Sequence, residues 1–334
     1  MSRFLRNNAL VLFLFLLFRG SCYPQDIDVC LWKGRDYQSA LPALRRKYPG
    51  SFTVKRLGGQ SVIINRLDLE TYLAGVLSKE MDSLWPSEAL KAQAVLSRTF
   101  AVNKINENRH KSLPYDIENS IYHQVYGSAG CARIEEAVLA TRGEVLSSGG
   151  DIGQVFFHAS CGGRTATPEE VWGGKYDLIK SVDDPYCEGT PYHSWTKRLS
   201  LSYISRAVVF PDLAEIEISS RSVSGRINNL KLISKNGIIR HISAHRFRME
   251  INSKAPRIAF NEPFVIPGTN FTINREGETL IFSGVGYGHG VGMCQWGARR
   301  MADSGKNYRE ILSHYFPAFS LGICDYIADT KNKE

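Results

Sequence analysis

Apolar residues recur in two rhythms along the chain. Leu69, Tyr72, Leu73, Val76 and Leu77 follow the i, i+3, i+4, i+7, i+8 spacing of a helix with one buried stripe, behind Asp68 as N-cap. A second helix is expected from Trp85-Pro86, with Pro in the first turn, through an Ala-rich run to about Asn106. Ahead of these, residues 51–57 and 61–67 read as strands turned by Gly58-Gly59-Gln60. Residues 107–121 are polar and loop-like, and a helix from Ala132 to Thr141 is closed by Gly143. Glu144 to Leu146 reads as a strand turned at Gly149-Gly150 into Gln154 to His158. The rhythm then changes to short strands at Arg198–Leu201, Glu215–Ser219, Asn229–Ile233, Ile238–Ile242, Phe271–Asn274 and Thr279–Phe282. Asn236-Gly237 and Glu276-Gly277 supply hairpin turns there, and a short helix from Ala244 to Met249 is capped by Ser243. A helix begins at about Met293 and ends at Gly305, and a last one, Tyr308 to Phe316, is capped by Asn307 and stopped by Pro317. The expectation is an α+β fold: a mixed helical and antiparallel core (30–192 plus 284–326) with a β-rich insertion at 195–283.

The first residues differ in kind. Arg3 and Arg6 precede an apolar run, Ala9 to Phe18, and the small pair Gly20-Ser21, so residues 1–22 read as a secretory signal. The run is too short for a standard membrane span. Cys22 stands where lipoprotein processing would acylate it, whereas Arg19 fits plain cleavage better. Either way the chain is exported, to the periplasm or cell envelope of a bacterium, with Cys22 the one route to a membrane. Lys and Arg (41) exceed Asp and Glu (33) for a net charge of +8, which suits an anionic wall or membrane surface. No Lys/Arg cluster is interleaved with aromatics, which argues against nucleic acid as a partner. Besides Cys22 there remain Cys30, Cys131, Cys161, Cys187, Cys294 and Cys324. In a compartment that permits disulfides, Cys161 with Cys187 is the first pairing to test, because the two bracket one compact motif.

Three stretches carry candidate chemistry. Glu80 falls where the stripe calls for a Leu, at the helix end where the macrodipole disfavours a carboxylate. Burial and dipole both push its pKa upward, which is what a general acid needs. The alternative is a rim Glu, solvated or paired with Lys79 or an Arg. Gln93 and Arg98 are polar groups in a run otherwise suited to burial. In the second stretch a tight Ser160-Cys161-Gly162-Gly163 turn lets backbone approach a ligand, with Ser160, Arg164 and Thr165 offering hydrogen bonds. Trp172 is read either as a platform for a sugar face or as core. In the third, glycines at every second position from Gly284 to Gly292 run into a helix N-terminus suited to a carboxylate or sugar oxygen, presenting His289, Gln295 and Trp296. This is neither the phosphate-loop nor the dinucleotide fingerprint. His123 and Cys131 are weighed as two metal ligands against a structural role. Cys294 beside His289, or Cys161 beside His158, raises a thiol peptidase, but neither Cys has a protease's flanking signature. Residues 195–283 carry no catalytic constellation.

Taken together these stretches resemble a known family. Tyr72-Leu-Ala-Gly-Val76, Glu80-Met81, Glu88-Ala-Leu-Lys-Ala-Gln-Ala-Val95 and Arg98-Thr-Phe100 are similar to the core of the stage II sporulation protein D and amidase-enhancer (SpoIID/LytB) family. His158-Ala-Ser-Cys-Gly-Gly-Arg-Thr165, Val171-Trp172, Ser181-Val-Asp-Asp-Pro185, Gly286-Tyr-Gly-His-Gly-Val-Gly-Met-Cys-Gln-Trp-Gly-Ala298 and Ile311-Leu-Ser-His-Tyr-Phe-Pro317 continue the likeness, in the family's order, over most of residues 55–322. Ala159, Cys161 and Cys294 stand where Thr or Ser is usual, and Ala318-Phe319 replaces the usual Gly. The resemblance implies an exported peptidoglycan protein, in some members a lytic transglycosylase that uses one Glu, here Glu80. It would cleave MurNAc–GlcNAc glycan strands, stripped of stem peptides, to 1,6-anhydro ends without a cofactor. On that reading Arg98, Ser160, Arg164, Thr165, His289 and Gln295 line the glycan groove, with Tyr72 and Trp172 as further candidates. Some members bind zinc near the positions of His123 and Cys131. The rival reading is a non-catalytic wall-binding module that enhances a separate N-acetylmuramoyl-L-alanine amidase.

Overall fold

The computed structural model describes residues 23–111, 113–120, 122–128, 130–254, 265–324 and 326–327. Residues 1–22, on which the expected secretory signal and Cys22 fall, lie outside the described residues. The helices are α1 (Tyr37–Lys47), α2 (Leu69–Glu80), α3 (Ser87–His110), α4 (Ala132–Ala140), α5 (Pro168–Trp172), α6 (Leu201–Ala207), α7 (Ala244–Ser253), α8 (Gln295–Asp303) and α9 (Tyr308–Tyr315). None is long and apolar enough to cross a membrane. With several small sheets between them, the fold is α+β.

Asp68 starts α2 by accepting the Thr71 N–H at 3.0 Å, and the chain turns extended at Met81, which ends the helix on Glu80. The whole apolar stripe of α2 is buried against Ile27, Val29 and Leu67 of a four-stranded sheet and against Ala94, Ala101, Val102 and Ile105 of α3. Each such Leu or Val contributes about 1.5–3 kcal/mol relative to exposure. The sheet runs Ser51–Leu57, Gln60–Asp68, Asp26–Gly34, Ile117–Glu118, with only the last strand parallel to its neighbour. α3 is the axis of the molecule, packing on α2, α4, α8 and α9, and fully buried Ala89, Ala92 and Ala94 permit that crowding. It outruns its expected end near Asn106, because Glu107 pairs with Lys104 and Lys111 along the last turns.

Behind α3 lies a second core, in which Met81, Trp85, Leu90 and Leu96 meet Met293, Ala298, Ile311 and Phe316. The strand expected at Gln154–His158 is corrected here. Gly149 and Gly150 turn the chain straight back into Asp151–Ile152, which pairs with Glu144–Ser148. Phe157–His158 instead pairs in parallel with Met293–Cys294, joining the second motif stretch to the third.

Residues 194–254 and 265–285 build two three-stranded sheets, with the middle strands Ile227–Ser234 and Thr279–Val285, around an apolar cluster of their own that includes Phe247, Phe271 and Phe282. The expected strand to Leu201 stops at Ser200, whose hydroxyl caps the unexpected α6. α1 was equally hidden, since it buries no residue and carries Pro42 within it. Arg226 ties this part to the rest, donating to Cys161 O (2.7 Å) and Arg164 O (3.0 Å).

Candidate active site

The stripe of α2 turns Glu80 toward α8, and the first residue of α8 meets it there. Gln295 Nε2 donates to Glu80 Oε2 at 3.4 Å and also faces Gln93 Oε1 at 3.4 Å. Gln93 Nε2 in turn donates to Ser97 Oγ at 3.1 Å, one helical turn along α3. Gln295, Gln93 and Ser97 are buried, while Glu80 keeps partial access to solvent. Burial pushes the Glu80 carboxyl up to about 7, against the pull of the Gln295 amide. Its place at the C-terminal end of α2 acts in the same upward direction. Glu80 Oε1 has no hydrogen-bond partner among the described residues. Gln93 is the residue that sequence reasoning undervalued; its signal was an amide in an otherwise apolar, Ala-rich run.

Upstream of Gln295, the glycine-rich segment carries His289 into an aromatic group. The Trp172 ring lies 4.9 Å from Phe156 and 5.1 Å from His289, and His158 lies 5.6 Å from His289. Trp172 is 36% exposed and so offers a face. The backbone of one residue fixes both imidazoles: Val291 N–H donates to His289 Nδ1, and His158 Nδ1 donates to Val291 O, each at 3.1 Å. Neutral His289 therefore carries its proton on Nε2, while buried His158 Nε2 is a bare acceptor with no partner. Burial, then the charge of Arg226, brings His158 down to about 3. Burial and then its cationic neighbours hold His289 well below the usual imidazole range. Gly292 lets this segment lie flat on the second stretch, for a Cβ at its φ of +73° would stand 2.0 Å from Phe156 O. Tyr192, Tyr287 and Trp296 form a further aromatic string beside Gln295, with neighbouring centroids 4.8 and 6.1 Å apart. Nothing in the sequence linked Tyr192 to it.

Four expected groove residues are held inside instead. Tyr72 is fully buried, donating to Gln124 Oε1 at 3.1 Å and leaning on Tyr126. Arg98 is also fully buried. It grips Glu70 with two hydrogen bonds (2.9 and 2.6 Å) and donates to Val138 O and Glu144 O. Ser160 Oγ lies 3.1 Å from Cys187 Sγ, and Thr165 Oγ1 accepts from Val182 N at 2.8 Å. Arg164 stays partly exposed, paired with Asp183 and bonded to Ser181.

The expected disulfide is absent, since Cys161 and Cys187 are both free thiols. Among the described residues, neither His123 nor Cys131 belongs to a group of three or more metal-ligating side chains. His123 Nδ1 accepts the Glu118 N–H, and Cys131 is exposed at the start of α4. Among the described residues, the one group of metal-ligating side chains is Cys161, Asp184, Cys187 and Cys294. A shallow concavity on the Ser194–Ser200 and Thr279–Val285 strands contains none of the candidate residues.

Comparison with known proteins agrees with this arrangement of motifs. Residues 58–147, which hold α2, α3 and Glu80, match the family model described as Stage II sporulation protein (SpoIID). An uncharacterized protein of Brachyspira hyodysenteriae is 35% identical over 295 residues, covering 86% of this chain and 74% of the relative. Stage II sporulation protein D of Bacillus subtilis is 27% identical, covering 83% of this chain and 80% of that protein. The Amidase enhancer of Bacillus subtilis is 26% identical over 75% of this chain, but only 40% of that longer protein is matched. With likeness extending through all three motif stretches, the chain belongs to the stage II sporulation protein D and amidase-enhancer family.

Proposed function

We propose that the protein is an exported lytic transglycosylase of peptidoglycan in which Glu80 serves as acid and then as base. The observation that carries this reading is the Glu80 carboxyl: partly buried, pushed up to about 7, with Oε2 bonded to an amide and Oε1 open. A group that titrates near neutral pH can both give a proton and take it back. Protonated Glu80 donates to the glycosidic oxygen between MurNAc and GlcNAc as the C1–O bond breaks. The resulting carboxylate accepts the proton of the MurNAc C6 hydroxyl, whose oxygen closes on C1. The proton is returned to Glu80, no water is consumed, and the product ends in a 1,6-anhydro sugar. Two-carboxylate hydrolases need a second acid to activate water or attack the sugar. Among the described residues no second carboxylate is bonded to Glu80 or Gln295. Trp172 supplies a face for a pyranose ring, and His289 Nε2–H a donor for a sugar oxygen. The step as written uses no cofactor. Export to a bacterial cell envelope rests on residues 1–22, and the preference for peptide-stripped strands on the family resemblance.

The likeness to a protein named Amidase enhancer supports a second reading, in which the same groove binds glycan uncut and the chain acts through a separate cell-wall amidase. Mass spectrometry of products from peptide-free glycan strands, with the purified protein and Glu80→Gln side by side, separates the two. Anhydro-ended sugars from the native protein and none from the variant are expected. Water-added ends would overturn the one-carboxylate step. Binding without cleavage by both proteins would favour the enhancer reading.

A further inference from the structure

We propose that Cys161, Asp184, Cys187 and Cys294 form a closed, four-ligand zinc site behind the active site. Their three Sγ atoms and a carboxylate oxygen all lie within 4.8 Å of one another, and each residue is at most 1% exposed. Tetrahedral zinc with Zn–S bonds of about 2.3 Å sets its sulfurs roughly 3.8 Å apart, inside that span. An iron–sulfur cluster is a larger body and is ordinarily held by four thiolates, so this compact set suits a single ion.

The local backbone is shaped for metal thiolates. Asp184 and Cys187 stand three residues apart across the turn Pro185–Cys187, the spacing at which zinc-binding pairs commonly sit. Gly163 N–H donates to Cys161 Sγ, and both Gly297 N–H and Cys161 N–H donate to Cys294 Sγ, each at 3.3 Å. Such donors suit sulfur in its anionic form, and with Cys161 Sγ already 3.1 Å from Asp184 Oδ2, three thiolates and a carboxylate gathered here would require a cation at their centre. Arg226 lies near enough for its charge to act on the three cysteines, but its hydrogen bonds among the described residues go to Cys161 O and Arg164 O and not to the sulfurs. Asp184 makes no ion pair among the described residues, and its buried Oδ1 has no hydrogen-bond partner. Its Oδ2 is oriented by the Tyr315 hydroxyl at 2.9 Å, as an outer-shell donor orients a ligating carboxylate. Room for that carboxylate exists only because residue 297 is Gly; a Cβ there would lie 2.3 Å from Asp184 Oδ2.

The site is structural, since four protein ligands leave no position for substrate. It fastens the second motif stretch to Cys294, and the next residue along, Gln295, is the one that holds Glu80. Its existence does not depend on whether Glu80 cleaves glycan.

Elemental analysis and zinc X-ray absorption of the full chain, purified without a metal-affinity tag, test the proposal. One zinc per chain with three sulfurs and one oxygen in its shell is expected. Cys161→Ser and Cys294→Ser should each lose most of that zinc, whereas Cys30→Ser and Cys131→Ser keep it. If the first two variants do not fold, the sulfur count in the native shell decides alone. As a second readout, Co2+ added to zinc-stripped protein should give thiolate charge-transfer absorption that Zn2+ abolishes. A disulfide among Cys161, Cys187 and Cys294, a shell lacking sulfur, or a chain that takes up neither Zn2+ nor Co2+ would overturn it.

Discussion

Gln295 and Glu80 are separated by 215 positions in the chain, yet the amide of one lies 3.4 Å from the carboxylate of the other. This bond lowers the Glu80 pKa while burial raises it to about 7. If protonated Glu80 starts the reaction, kcat/KM for glycan falls as pH rises through about 7. Gln295→Leu removes the opposing pull, so that limb should move up by about half to one pH unit. A pH–rate series on both proteins measures it; an unmoved limb would separate Glu80 from the titrating group.

Glu80 also costs stability above the acid range. Its folded pKa, about 7, exceeds the ordinary 4.5. The folded state therefore binds the proton more tightly, and stability present below pH 4.5 is lost as pH rises to about 7. Glu80→Gln should accordingly be more stable than the native chain at pH 8, on the order of 2 kcal/mol, with the difference vanishing at pH 4. Thermal melts at the two pH values check the sign.

Arg98 supports the scaffold under this site rather than the groove. Arg98→Ala removes the two-pronged grip on Glu70 and the guanidinium donors to Val138 O and Glu144 O, which should destabilise the fold by about 3–5 kcal/mol. Arg98→Lys should recover only part of that, since one ammonium cannot reproduce the two-pronged grip. Urea midpoints of the three proteins give the measurement.

Trp172 should behave in the opposite way. Trp172→Ala leaves the melting temperature within a few degrees while weakening binding to peptide-free glycan about tenfold, as for loss of about 1.4 kcal/mol of stacking. Because burial keeps His289 neutral, that affinity should show no inflection near pH 6.5. Titration calorimetry at several pH values tests both statements.

Two glycines on the same stretch make an internal comparison. At Gly292 an added methyl collides with Phe156 O, whereas at Gly305, φ +89°, it meets nothing within 4 Å. Gly305→Ala should cost about 1 kcal/mol from backbone strain alone, and Gly292→Ala about 3 kcal/mol or more with loss of activity. Denaturation and glycan turnover on the pair report it.

What the sequence disclosed follows from how local each determinant is. Asp68 caps α2 through Thr71, Asn307 and Glu310 close a capping box, and Gly237 turns a hairpin, all within a few residues. The stripe likewise put Glu80 on the inner side of α2. The fates of Tyr72, Arg98 and Thr165 were not legible, because their partners Gln124, Glu70 and Val182 lie on other elements. A polar residue in an apolar run reads the same whether it faces a ligand or another part of the chain. The cysteines were misread for a related reason: pairwise bracketing suggested a bridge, while the fold gathers three of them around Asp184.

The parallel pairing of Phe157–His158 with Met293–Cys294 joins segments on opposite sides of the long insertion. A ribosome delivers the acid-bearing helix early and the segment that completes its surroundings last. A chain released short of α8 holds Glu80 without the amide that faces it. The same long-range closure makes folding slow relative to a protein of local contacts. Whatever chemistry the Glu80–Gln295 pair supports becomes available only once the whole length of the chain has been made and brought together.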